Sequence, residues 1–366
     1  MDLKGYFDKM KTIENQILQL INDNDAEQET FTKLITLFED SKISENKHEL
    51  ESVLYLLLKI ANNYHRSANF FLKIDQILLF FKNEILKYYS NEEIYHFFKR
   101  NKRILLFLIE NKILILDASI GDRMADQSDY LNYFMPQIKP IVPVSFKDEF
   151  LLYVKELAGN FGDKQKAGEN DSLICELIRK DSIDDFIIYI HKNNISLNSE
   201  IKPSIFETNQ FLVGRDTSLF EYAAFYGSIQ IFNYLRFNKI EMTPSLWIYA
   251  IHGNNYEIIQ LLEENKIIPK DETYNECLKE ALKCHNYEVT DYLLTNYLDG
   301  YNEFAITHFI KYYNFQYLKE EYINQSFFYD FCHYKYFLVV ENLLKSGTID
   351  INAKTINNIF FLNTIL

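Results

Sequence analysis

The residues best suited to chemistry are few and dispersed. Cys277, Cys284 and His285 form one cluster of soft and imidazole donors close in sequence. Seven residues apart on a helix, the two cysteines share a face, and thiolate with imidazole is the donor set of zinc. A fourth ligand has no source nearby, and none of the four cysteines (Cys175, Cys277, Cys284, Cys332) forms a C-x-x-C pair. Buried free thiol is the common state of cysteine inside cells, so no metal and no other cofactor is expected. Asp184-Asp185 and Glu263-Glu264 are paired carboxylates of the type used in general acid–base catalysis. Both pairs fall at helix positions that read as solvated. The eight histidines are scattered, and no G-x-S-x-G, H-E-x-x-H, Walker A or G-x-G-x-x-G occurs. The basic cluster Lys99, Arg100, Lys102 and Arg103 would suit an acidic partner, but reads more simply as a solvated turn between two helices. Trp247 reads as core rather than as a binding anchor. No catalytic residue is assigned, and the chain is not expected to be an enzyme.

The elements that must hold these residues are helical. Only 10 glycines and 6 prolines interrupt 366 residues, against 30 phenylalanines and 27 tyrosines. Few breakers and long apolar runs favour helices. Hydrophobic residues are 48% and charged residues 25%, so the whole chain folds rather than remaining disordered. The net charge of −14 is uneven: residues 1–120 hold 16 basic against 18 acidic residues, whereas the remainder holds 22 against 34. A field of that sign repels phosphate, so no nucleic-acid partner is expected. The most apolar stretch, Ile104 to Leu116, is broken by Glu110, Asn111 and Lys112, so no membrane span is expected. Met1 to Tyr6 turns acidic at once and leads into no apolar signal segment, which makes a cytoplasmic location the expectation.

Residues 1–120 read as a helical N-terminal domain. Leu3, Phe7, Met10, Ile17, Leu20 and Ile21 recur mostly at helical steps, and Ser90 with Glu93 forms a capping box. Residues 121–170 hold Pro136, Pro140, Pro143, Gly121, Gly159, Gly162 and Gly168, and read as a connector with one short helix near 145–158. From 171 to 366 a repeat emerges. Asp181, Gly227, Asn254 and His285 each stand between two apolar helical patterns, the last three 27 and 31 residues apart, within the range of stacked repeats. These residue types tolerate positive φ, which a tight turn between antiparallel helices demands. Ala223, Ala250 and Ala281, four residues earlier, are small enough for neighbouring helices to approach. Further turns fall near Tyr313 and Lys335.

The segment Ser218 to Leu235, S-L-F-E-Y-A-A-F-Y-G-S-I-Q-I-F-N-Y-L, resembles the ankyrin repeat pattern T-P-L-H-L-A-A-x-x-G-H-x-E-I-V-x-L-L. Val339 to Gly347 followed by Asp350 to Lys354 resembles a second ankyrin helix and its hairpin. The combination looks closer still to the large ankyrin protein family of trichomonad protists, whose members carry a helical N-terminal part and a domain of unknown function before the repeats. The pattern is departed from at Thr243-Pro244, two residues upstream of the expected slot, and at Glu221, which fills the histidine slot. The resemblance implies an all-α fold, a helical N-terminal domain followed by a degenerate ankyrin-like solenoid.

It also implies a non-catalytic scaffold that binds an unidentified protein through the concave face. By the same resemblance, the two residues before each turn touch the partner: Phe225 and Tyr226, His252 and Gly253, Lys283 and Cys284. Packing of Phe225 against a neighbouring repeat is the competing expectation. The alternative function is an enzyme with an unrecognised catalytic site in the N-terminal helical domain, for which a deep polar pocket with a perturbed carboxylate would be the mark. Residues 356–366 are apolar where an array needs a polar cap, so this end is expected to fray, to fold back, or to dock on a partner or a second copy.

Overall fold

The computed structural model describes residues 3–23, 25, 27–67, 69–143, 148–156, 159–298 and 300–350. The apolar end at 356–366 and the hairpin residues 351–354 lie outside them. The fold is all-α, and no strand occurs among the described residues. The first helices are α1 (Leu3–Asn22), α2 (Glu27–Asp40), α3 (Lys47–Asn63), α4 (Phe70–Phe80), α5 (Lys82–Tyr88), α6 (Asn91–Phe98) and α7 (Lys102–Glu110). Short helices follow: α8 (Ala118–Ala125), α9 (Ser128–Tyr133), α10 (Met135–Ile138), α11 (Asp148–Glu156) and α12 (Phe161–Ala167). Next are α13 (Leu173–Arg179), α14 (Ile183–Lys192), α15 (Leu219–Tyr226), α16 (Ile229–Phe237), α17 (Leu246–Gly253) and α18 (Tyr256–Glu264). The chain continues through α19 (Asn275–Lys283), α20 (Tyr287–Asn296), α21 (Glu303–Tyr312), α22 (Phe328–His333) and α23 (Phe337–Ser346).

Two compact units divide the chain. One is discontinuous, Met1–Ile74 with Asp271–Leu366, and the other is Asp75–Lys270. The boundaries read from composition, at 120 and 170, both fall inside the second unit. The stretch between them holds more than the one short helix expected: most of α8 and all of α9 to α12 lie in it. Asp117 caps the Ile120 amide at the start of α8, Pro136 sits in the first turn of α10, where its missing N–H costs nothing, and Gly168 ends α12 with φ +66°.

All six expected turn residues take the left-handed conformation: Asp181 (φ 48°), Gly227 (67°), Asn254 (49°), His285 (51°), Tyr313 (60°) and Lys335 (64°). Each follows the first helix of a pair and turns the chain back into the second. The residue after the turn then reaches toward an earlier pair. Ser228 Oγ donates to Ile178 O at 2.5 Å, Asn314 Nδ2 to Leu282 O at 3.0 Å, and Tyr336 Oη to Ile310 O at 2.9 Å. Each acceptor stands three residues before the previous turn residue. Asn255 Nδ2 makes a related bond to Gly227 O at 3.0 Å. In the second unit α13, α15 and α17 pack in one row, and α14, α16 and α18 in another. Ala223 and Ala250 are fully buried between them.

The second helices α7, α14, α16 and α18 close in a shared way. Asn111, Asn193, Asn238 and Asn265 each donate their side-chain amide to the carbonyl four residues back. The next residue (Lys112, Asn194, Lys239, Lys266) is left-handed. The isoleucine after it donates its N–H five residues back, as Ile240 does to Leu235. This is a Schellman closure, and the isoleucine is its apolar contact. The closure ends α7 too, although no residue in the turn between α6 and α7 is left-handed.

In the discontinuous unit, α3 lies against α19 and α23, and α1 against α2 and α3. Tyr6 and Phe7 of α1 meet Phe315, and Tyr55 of α3 stacks on Tyr313 at 5.6 Å. The buried ammonium of Lys73 donates to Ile21 O and Asp23 O at 3.0 and 2.6 Å, neutralising the carbonyl end of α1.

Candidate functional site

The six residues carried over as partner contacts are mostly covered. Phe225, His252, Gly253 and Cys284 are buried, while Tyr226 and Lys283 are half-exposed. Phe211 is the reason in the second unit. It stacks on Phe225 with ring centroids 5.6 Å apart and planes 15° apart, meets His252 at 4.2 Å, and points its edge at Tyr249 at 4.9 Å. Phe225 and His252 also stack on one another at 5.0 Å. Phe225 thus packs within the chain. Gly253 has a packing role: a Cβ there would sit 2.1 Å from Ala224 O. Lys283 pairs with Glu280 at 3.1 Å.

Cys277 and Cys284 are buried thiols whose pKa values burial pushes up, opposing the thiolate that a metal requires. His285 belongs to a different arrangement. Its Nδ1 lies 2.8 Å from Glu14 Oε1. Tyr287 Oη donates to the same oxygen, and the Gln316 amide donates to Oε2 at 3.0 Å. The side chains of Glu14 and His285 are fully buried, and burial raises the Tyr287 phenol well above its ordinary range. Three donors from two turns converge on one carboxylate of α1. The arrangement clasps α1 to the turns that hold His285 and Gln316.

The basic cluster divides. Lys99 and Arg100 reach the surface, while Lys102 and Arg103 are buried. Arg103 Nη2 donates to Asp75 Oδ2 at 2.8 Å and its Nε to Lys166 O at 2.6 Å. Burial raises Asp75 from 3.8 to about 6, although Arg103 beside it pulls the other way. Lys102 pairs with Asp129 at 3.2 Å, its ammonium 5.6 Å from the ring centres of Tyr130 and Tyr133. The cluster is therefore half structural. The carboxylates Asp184 and Asp185 are solvated as expected, and Trp247 is core, with Nε1 donating to Ile267 O at 2.7 Å.

A cleft of about 390 Å³ opens in the second unit, between α7, α9, the long α14–α15 connection and Tyr222. Ile201, Ile205, Leu212 and Val213 give it an apolar wall, and Asn170, Glu207, Thr217 and Tyr222 a buried polar floor. Glu207 accepts the amides of Asn170 and Asn209 at 3.2 and 2.7 Å. Arg179 donates to Tyr222 Oη at 2.9 Å, while burial raises that phenol well above its ordinary range. The connection has little regular structure beyond one antiparallel bridge, Glu200 to Ser218, where Ile201 N donates to Thr217 O at 2.7 Å. Motif reading misses these residues. The available signal is spacing: Asp181 and Gly227 stand 46 residues apart, against 27 for the next interval, and the surplus is this connection. Long irregular connections in compact folds are commonly functional. Among the described residues no helix is long and apolar enough to cross a membrane. Compared with known proteins, the chain matches no family model, no curated protein and no solved structure.

Proposed function

We propose that the chain is a non-catalytic scaffold for protein–protein interaction, of the ankyrin-like kind, acting on an unidentified protein partner in the cytoplasm. The observation that carries this reading is the repeated turn: a left-handed residue, then a side chain that reaches back to the preceding pair. Such units bury their apolar faces only by stacking, and a stack presents an extended surface made of many small contacts. No disulfide joins any of the four cysteines, in keeping with a reducing compartment. Of the positions carried over from the resemblance, Tyr226 and Lys283 offer side-chain surface and are the ones assigned to the partner. Asp75 has the perturbed carboxylate that an enzyme reading asks for, but it is tied to Arg103 and does not line the cleft.

The test is cross-linking capture with the full chain as bait. A bait of 171–366 would cut through both units. A stoichiometric protein is expected, with cross-links on the helix pairs. Tyr226→Ala with Lys283→Glu should weaken capture at least ~10-fold in a protein that a melting curve shows to be still folded. Cross-links confined to regions outside the pairs would count against the reading.

A further inference from the structure

The cleft of the second unit plays no part in that reading. Charged side chains near it are mostly neutralised within the chain: Lys102 by Asp129 at 3.2 Å, Lys164 by Asp171 at 2.9 Å, and Arg179 by Glu169 at 3.0 Å. Lys202 and Asp216 at its rim are exposed and, among the described residues, take part in no ion pair. They belong to the two segments that run on from the Glu200–Ser218 bridge, and both line the cleft. A cation and an anion thus line one mouth without pairing with each other. Arg215 adds a second cation, its guanidinium held 4.2 Å over the Phe211 ring. Inside the mouth are Ile201, Ile205 and Leu212, and beneath them the buried side chains of Asn170, Thr217 and Tyr222.

An apolar interior with a few fixed polar groups is the usual composition of a small-molecule site, and about 390 Å³ lies at the lower end of the size range of such sites. The ligand that completes this rim carries one negative and one positive charge on neighbouring atoms, with an apolar group between them pointing inward. We propose that the cleft binds a free α-amino acid with an apolar side chain: its carboxylate on Lys202 and Arg215, its ammonium on Asp216, and its side chain among Ile201, Ile205 and Leu212. This site is independent of the scaffold surface.

The experiment is calorimetric titration of the full chain with L-leucine, and in parallel with N-acetyl-L-leucine and L-leucinamide, each of which has lost one charge. Saturable binding of L-leucine is expected below roughly 10 mM, with each analogue at least ~10-fold weaker. Lys202→Ala should weaken leucine at least ~10-fold while leaving leucinamide, which has no carboxylate, little changed. Asp216→Ala should do the converse with N-acetyl-leucine. Both substitutions are at exposed positions, and a melting curve confirms folding. No heat with leucine up to that concentration overturns the proposal. Equal binding of all three compounds also overturns it, since it would mean an apolar cavity with no role for the paired charges.

Discussion

Glu14 is the residue on which most depends. Its carboxylate takes hydrogen bonds from His285, Tyr287 and the Gln316 amide with no water to replace them. Removing one member of a buried polar set leaves the others desolvated and unpaired, which costs far more than the bond was worth. Glu14→Ala should therefore destabilise the fold by about 3 kcal/mol or more, and Glu14→Gln by less, because the amide oxygen still accepts. Urea titration checks the order, and an Ala variant as stable as the parent would show the clasp to be energetically idle. Asp75 offers a pH test. An acid whose folded value lies above its unfolded one holds its proton more tightly in the folded state. Its contribution therefore favours folding below about pH 4 and is lost as the pH rises through 6. Relative to Asp75→Asn, the parent should lose roughly 2–3 kcal/mol of stability between about pH 4 and 7. A pH-independent difference between the two proteins would show that Arg103 keeps Asp75 ionised throughout.

At the scale of elements, α15 and α17 approach more closely than side chains permit. A Cβ on Gly227 would lie 2.6 Å from Gly253 O, and one on Gly253 would lie 2.1 Å from Ala224 O. Gly253→Ala should cost at least ~3 kcal/mol, since the obstacle is backbone that cannot rotate away. Gly227→Val adds left-handed strain of about 1–2 kcal/mol to a similar clash. Thermal melts of both variants decide the matter, and an unchanged midpoint in either would contradict the helix spacing. The turn residues were legible in the sequence because a left-handed position admits few residue types. Tyr313 and Lys335 were harder, since neither type favours positive φ and only the flanking apolar pattern marks them. Glu221, a departure from the ankyrin pattern, has a local reason. It forms a capping box with Ser218 and accepts the Ser245 hydroxyl at 2.6 Å, tying α15 to the start of α17. The Asn-Lys-Ile triplets at 111, 238 and 265, with Asn193-Asn194-Ile195, each end a second helix, a regularity that motif and periodicity reading passed over. The rim of the cleft was not legible. Lys202 and Asp216 both come to the cleft on an irregular connection with no periodicity to read.

For the whole molecule, the division into units sets which pieces can stand alone. Residues 75–270 are contiguous and carry their own paired rows of helices. Expressed alone, they should be helical and melt in one cooperative transition. Residues 171–366 should not, because they lack α1 and α3, which cover Phe315, Tyr313 and the face of α19. Circular dichroism melts of the two fragments test this. A cooperative transition in 171–366 would mean that the N-terminal helices are an accessory.

The clasp also has a consequence during synthesis. A ribosome adds about 5–20 residues each second, and the whole of Asp75–Lys270 is made between Glu14 and its partners. For roughly 10–40 s, α1 is out of the tunnel without the Phe315 ring that meets Tyr6 and Phe7, and with a carboxylate waiting for an imidazole not yet translated. The middle of the chain can finish folding in that interval. The first helix to be made is therefore among the last to reach its final surroundings, and it needs shelter until the turns near the other end arrive.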